Sequence, residues 1–133
     1  MTGGAPLAGV SDTELLARAD EIAARAYAPY SEFLVGCAVL ARDGRVIEGV
    51  NVENAAYPLG VCAERSAFAR AVVEGYRPGD FVAAAITASP CGGCRQWLHE
   101  MRVERVVFRN GGRVVTMTPD ALLPESFDSS KLA

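Results

Sequence analysis

Hydrophobic positions change period several times along the chain. After Ser11, the residues Leu15, Leu16, Ala19, Ile22, Ala23 and Ala26 recur at helical spacing. Ser11 and Glu14 supply an S-x-x-E capping pattern, so a helix is predicted over residues 12–27, stopped by Pro29. The run FLVGCAVL, residues 33–40, reads as a strand. Asp43-Gly44 is a turn signal, and VIEGVNV returns as the hairpin partner. A loop with Pro58 and Gly60 leads to a second helix over residues 62–74, ended by Gly75. FVAAAITA, residues 81–88, is a buried strand. Ser89 caps a third helix with Pro90 in its first turn, running to about Met101. VERVVFR and RVVTM are strands joined at NGG, and Thr118-Pro119 opens a short last helix.

The predicted order is α-β-β-α-β-α-β-β-α. Strands alternating with helices predict an α/β fold, a sheet covered on both faces. The chain has 133 residues, half of them hydrophobic, which suits one domain over residues 1–133 with a single core. The glycine-rich first ten residues are expected to be flexible. No apolar run reaches membrane-spanning length, and MTGGAPLAGV lacks the basic and long apolar parts of a signal peptide. A cytoplasmic protein with no membrane partner is expected. Net charge is −3, and twelve arginines with one lysine are spread among sixteen acids. The absence of a basic run argues against a nucleic-acid partner.

Candidate chemistry gathers at the cysteines. Cys91 and Cys94 form a CxxC at the start of the third helix, and Cys62 stands at the start of the second. A CxxC alone could be a redox pair or half a zinc ribbon. There is no second CxxC for a ribbon, and the redox reading leaves Cys62 without a partner. Four cysteines in a cytoplasmic chain do not suggest a disulfide framework. Three thiolates converging from two helix N-termini would give zinc three soft ligands and leave a fourth position for water. A helix N-terminus favours the thiolate. Arg65 would offset the excess negative charge. Glu64 alone would read as a surface residue at a helix start; beside three thiols it reads as a proton carrier. Residues i and i+2 do not share a helix face. Cys62 and Glu64 can therefore face one metal only if Cys62 is at the cap or in the first turn.

The blocks YAPYSEFLVG, GVNVENAAYPLGVCAERSAF, SPCGGCRQ and LLPESF together resemble the short, single-domain cytidine deaminases over nearly the whole chain. Cys-Ala-Glu followed by Pro-Cys-x-x-Cys is the zinc-deaminase pattern. The resemblance implies a three-layer α-β-α sandwich with a mixed five-stranded sheet. It implies one Zn²⁺ per subunit on Cys62, Cys91 and Cys94, and Glu64 as the catalytic proton shuttle. It implies that Asn51 and Glu53 bind a ribose hydroxyl and that Phe33 packs on the base. Ala55 and Tyr57 match positions that reach a neighbouring subunit's site. Phe127 matches an aromatic that closes over the base from another chain. Arg65 matches a residue that hydrogen-bonds the zinc thiolates. The implied enzyme is a homotetramer that hydrolyses cytidine and 2′-deoxycytidine to uridine and 2′-deoxyuridine in pyrimidine salvage. Related chemistries are deamination of a cytosine-containing antibiotic, editing of a polynucleotide, and an inactive zinc scaffold. The sequence departs from the family at Leu34, where proline is common, and at Gly93, where alanine is common. Its join ITASPCGG is shorter than usual.

Residues outside the motif have simpler readings. Cys37 reads as a small buried hydrophobe. Trp97 reads as core or interface. His99, five residues past Cys94, reads as exposed or groove-lining and not as a ligand.

Overall fold

A computed structural model describes residues 9–132. The first helix, α1, is Asp12–Ala23. It is followed by β1 (Gly36–Ala41), β2 (Val46–Val50), α2 (Ala63–Val73), β3 (Phe81–Ile86) and α3 (Gly92–Glu100). The chain ends with β4 (Arg105–Asn110), β5 (Arg113–Met117) and α4 (Pro119–Leu122). The strands form one sheet in the order β2-β1-β3-β4-β5. Only the β3–β4 pair is parallel, with α3 as its crossover; the other pairs are antiparallel. The mixed five-stranded sheet expected from the resemblance is therefore present.

Alternation along the strands builds a core on each face. Cys37, Val39, Phe81, Ala84, Ile86, Val106 and Phe108 pack with Ala63, Ala67 and Phe68 of α2 and Leu98 of α3. Ala38, Leu40, Val82, Ala83, Ala85 and Val107 pack with Leu15, Leu16 and Ala19 of α1. The three layers follow from these two sets. Cys37 is fully buried, as its small neighbours suggested. The flexible segment expected at the N-terminus lies outside the described residues as far as residue 8. Val10 is described, and it packs on the α1-side core.

Glycine permits both helices their close approach. At Gly36, a Cβ would lie 2.1 Å from the Ala19 carbonyl of α1. At Gly49, it would lie 2.4 Å from Ala67 N and 2.6 Å from Ala63 O of α2. The capping box of α1 is complete: Glu14 N donates to Ser11 Oγ at 3.1 Å, and Ser11 N donates to Glu14 Oε1 at 2.8 Å.

Several element ends differ from expectation, each through a tertiary contact. Helix α1 stops at Ala23 and does not reach Tyr27, because Tyr27 instead donates its N–H to Asn51 O and accepts from Glu53 N. Strand β1 begins at Gly36 and not at Phe33, because the Asn51 side chain takes the polar groups of residues 33–35 that a ladder would have used. Strand β3 ends at Ile86 and not at Ala88; Thr87 Oγ1 there accepts from Gly36 N at 3.1 Å. Strand β4 starts two residues later than predicted and extends to Asn110. Thr118 caps α4 as expected, accepting from Ala121 N at 3.1 Å.

Candidate metal centre and cleft

The two helix starts that follow β2 and β3 place the thiols. Cys62 is the N-cap of α2, with φ −74° and ψ 158°, and Cys91 is the N-cap of α3, with φ −70° and ψ 171°. The cap of α3 is thus Cys91 and not Ser89. Its sulfur takes the N–H of Cys94 at 3.4 Å, while the Ser89 hydroxyl accepts from Arg95 Nη2 at 3.3 Å. The extended backbone at Cys62 meets the condition set by the sequence. Cys62 is not yet helical, so it and Glu64 line one cleft despite being two residues apart.

The Sγ atoms of Cys62, Cys91 and Cys94 all lie within 4.8 Å of one another, and those of Cys62 and Cys91 are 3.8 Å apart. A tetrahedron with metal–sulfur bonds of about 2.3 Å has edges of about 3.8 Å, so the Cys62–Cys91 pair stands at the spacing zinc requires, with the third sulfur close by. Among the described residues this is the one such cluster of ligand atoms. The three thiols share their protons unequally. Cys62 is pulled down to about 5, first because the Cys94 thiol donates to it, then through Cys91 and the Arg65 charge, against burial. Cys94 is pushed up, first by donating to Cys62 and next by burial. Arg65 donates from Nη2 to Gly60 O at 3.3 Å, and its Nε is buried without a hydrogen-bond partner. An orphaned buried donor beside a thiolate cluster is what an anionic metal–thiolate centre would satisfy.

Glu64 is the only buried charged residue among the described ones, 3% exposed. Burial raises its carboxyl from the ordinary 4.5 to about 7; its own backbone N–H opposes the rise, and negative charge on Cys62 adds to it. The group can therefore both take and give a proton near neutrality.

The cleft above these groups has a volume of about 270 Å³. Phe33, Asn51 and Glu53 line it with Cys62, Glu64 and Cys91. Asn51 and Glu53 already carry structural work. Asn51 Oδ1 accepts from Val35 N at 2.8 Å, and its Nδ2 donates to Phe33 O at 2.9 Å. Glu53 accepts from Tyr30 N at 3.0 Å, from Ser31 N at 3.1 Å and from the Ser31 hydroxyl. The hydroxyl first, then the two amides, hold its carboxyl below the ordinary value. Each side chain keeps spare capacity, one N–H on the amide and further lone pairs on the carboxylate.

Three predicted residues stand apart from the cleft of their own chain. Ala55 is exposed, Tyr57 is 73% exposed in a short 3-10 turn, and Phe127 is 58% exposed. Tyr57 meets Tyr30 edge-on at 5.8 Å and lines an adjoining pocket of about 340 Å³ that shares Ser31 and Glu53 with the cleft. Sequence reasoning gave no place in the site to Ser31, Ala88 or Ser89, which also line the cleft. Ser31 lay inside the quoted block YAPYSEFLVG, but its link to Glu53 spans 22 residues and leaves no local trace. His99 lines a separate groove, as read from sequence, yet its side chain is only 15% exposed. It is enclosed by the C-terminal segment and not open to solvent.

Residues 10–110 match the family described as the cytidine and deoxycytidylate deaminase zinc-binding region. A cytidine deaminase of Sporosarcina psychrophila is 43% identical over 111 residues, 79% of this chain and 75% of that protein. The crystal structure of cytidine deaminase from Burkholderia pseudomallei has a TM-score of 0.84 and 41% identity, covering 89% of this chain and 100% of that one. The Mycobacterium tuberculosis cytidine deaminase structure gives 0.78 at 36% identity, over 90% of this chain and 98% of that one. A dCMP deaminase of cyanophage S-TIM5 shares the fold, with a TM-score of 0.62 at 19% identity, over 74% of this chain and 82% of that one. Likeness in sequence and fold over this much of the molecule leaves one assignment: the chain belongs to the cytidine and deoxycytidylate deaminase family.

Proposed function

We propose that the protein is a zinc-dependent hydrolase that converts cytidine and 2′-deoxycytidine, with water, to uridine and 2′-deoxyuridine and ammonia. The observation that carries the reading is a buried carboxylate, held near neutral pKa, in one cleft with Cys62 and Cys91, two of the three thiols that cluster as metal ligands would. Cys62, Cys91 and Cys94 hold the metal. When bound, zinc supplies Lewis-acid activation of a water at its open position. Arg65 steadies the thiolate charge. Glu64 takes the proton released as water adds to C4 and delivers it to ring N3; it then takes the proton of the new C4 hydroxyl and gives it to the amine, which leaves as ammonia while C4 becomes a carbonyl. Phe33 supports the base, and Asn51 and Glu53 use their spare donor and acceptors on a ribose hydroxyl.

The cleft favours a nucleoside over a nucleotide. Its charged lining is Glu53 and Glu64, beside the thiols of Cys62 and Cys91, and among the described residues no lysine or arginine lines it or the adjoining pocket. A phosphate there would meet negative charge only. The same reading treats residues 1–133 as one deaminase domain. It also makes the active form a homotetramer, because Ala55, Tyr57 and Phe127 are exposed and free to reach a neighbour's site. Exposed Tyr27, Tyr30, Leu34, Val52 and Leu59 support an assembly face near the cleft. The reduced thiols that the site needs suit a cytoplasmic enzyme of pyrimidine salvage.

The test is ammonia release from cytidine, deoxycytidine, dCMP, free cytosine and blasticidin S, with and without a zinc chelator. Turnover of the two nucleosides, stopped by the chelator, is expected. Glu64→Gln should keep zinc and fold and lose at least about 10²-fold in kcat. Turnover of dCMP in preference to the nucleosides, or an active Cys91→Ala variant, would overturn the assignment.

A further inference from the structure

Helix α3 does more than present Cys91 and Cys94. His99 lies four residues from Arg95 and three from Gln96, so it neighbours both on the surface of α3. Arg95 binds the end of α4, Gln96 the segment that follows it, and His99 both. Arg95 Nη1 donates to Leu122 O at 3.2 Å, and Arg95 Nε donates to Pro90 O at 2.9 Å, next to Cys91. Gln96 Nε2 donates to Phe127 O at 2.8 Å. The His99 ring is engaged on both nitrogens. Nδ1 is 3.2 Å from Asp120 Oδ1, and Nε2 is 3.0 Å from Ser126 Oγ and 3.5 Å from Asp128 Oδ2. Phe127 is therefore held at its own carbonyl and through the side chains of its neighbours Ser126 and Asp128, and Leu122 anchors the start of the segment in the core.

The fastening also holds an unfavourable conformation. Glu125, immediately before Ser126, has φ +54°, a left-handed geometry that costs a non-glycine residue energy. A chain held this way at residues 122–128 leaves Phe127 58% exposed and outside the lining of its own chain's cleft. Other uses of the His99 cluster fit the geometry less well. Asp120 and Asp128 approach opposite ring nitrogens, so His99 and the two carboxylates do not converge on one point as metal ligands would.

We infer that His99 is a positioning residue: with Gln96 it clamps the C-terminal segment to the metal-bearing helix, so that Phe127 is held ready to cover the base in the cleft of a second copy of the chain. The inference rests on the function proposed above. It makes α3 a single lever, carrying metal ligands at one end and the placement of the closing aromatic along its side.

A double-mutant cycle on the zinc-loaded protein tests it. His99→Ala should raise KM for cytidine about tenfold with kcat within about twofold and zinc content unchanged, a loss of binding and not of chemistry. Phe127→Ala should do at least as much, and the double variant should match Phe127→Ala alone, since His99 acts through that ring. His99→Gln keeps a donor and an acceptor and should restore most of the KM. Hydrogen exchange gives a readout apart from activity: in His99→Ala, amides of residues 123–132 should exchange faster while those of the sheet do not. Effects on KM that multiply in the double variant, or unchanged exchange in the segment, would overturn the inference. Should His99→Ala fail to fold, Gln96→Ala in the same cycle decides it by the same criteria. A wild-type protein without nucleoside turnover would sink the functional reading, and the exchange experiment would then decide the clamp separately.

Discussion

Gly49→Ala adds one methyl group between the sheet and the helix that carries Cys62 and Glu64. Gly49 pairs with Cys37 across β1–β2, and its Cβ position points at the first turns of α2. The added carbon would stand 2.4 Å from Ala67 N, 2.5 Å from Ser66 Oγ and 2.6 Å from Ala63 O. Two of these neighbours are helix backbone, which cannot swing aside. The helix must withdraw about 1 Å to open the contact to an ordinary 3.4 Å. Ser66 Oγ would also be driven from its bonds to Val50 N and Ala63 O. Overpacking of this kind costs about 1–3 kcal/mol of stability. The functional loss should be larger, because α2 moves Glu64 and Cys62 together, and a misplacement of about 1 Å costs about 10²-fold in rate. The assay is kcat/KM for cytidine, zinc stoichiometry and the urea midpoint, with Gly93→Ala as control. A Cβ at Gly93 meets nothing within 4 Å, so that variant should be neutral or slightly stabilised. Gly49→Ala with activity within about twofold of wild type and an unchanged midpoint would refute the claim that α2 is seated by this contact.

Three further outcomes follow from the same structure. In the metal-free protein, Glu64 ionises at about 7 when folded against an ordinary 4.5, so the folded state favours its protonated form. Wild type should lose stability relative to Glu64→Gln as pH rises from about 4.5 to 7, by at most about 3 kcal/mol at pH 8, and the two should coincide at pH 4; urea unfolding across that range checks it, and a constant difference would contradict the burial argument. Phe68→Ala should cost about 3–5 kcal/mol, because Phe68 is fully buried edge-on to Phe81 at 5.3 Å; a thermal melt reads the loss. Ser11→Ala removes one half of the capping box and should cost about 1 kcal/mol with no change in KM.

Features held by neighbours in sequence were legible before any coordinates. The Ser11–Glu14 box, the Asp43-Gly44 turn and Thr118 before Pro119 each stand where local chemistry put them. So does Cys62, whose place at the cap or in the first turn was the condition for it and Glu64 to face one metal. The misplaced boundaries share another cause. Residues 33–35 look like strand by composition, yet the Asn51 side chain replaces the ladder there, and no periodicity can report a side chain 16 residues away. Tyr27 continues a helical pattern but finds better partners at residues 51 and 53. His99 read as exposed or groove-lining and does line a groove, but its enclosure left no local sign, because the segment that covers it returns from 27 residues further on.

Both helices that approach the thiols begin at a cysteine, with the cap residue still extended. A metal bound there joins the start of α2 to the start of α3, parts of the chain that are otherwise strangers in sequence. Binding and folding are then one equilibrium, and each tenfold gain of free zinc over its dissociation constant adds about 1.4 kcal/mol to stability. A cell short of zinc would contain fewer molecules of this protein, cleared by its proteases, and not the same number working more slowly.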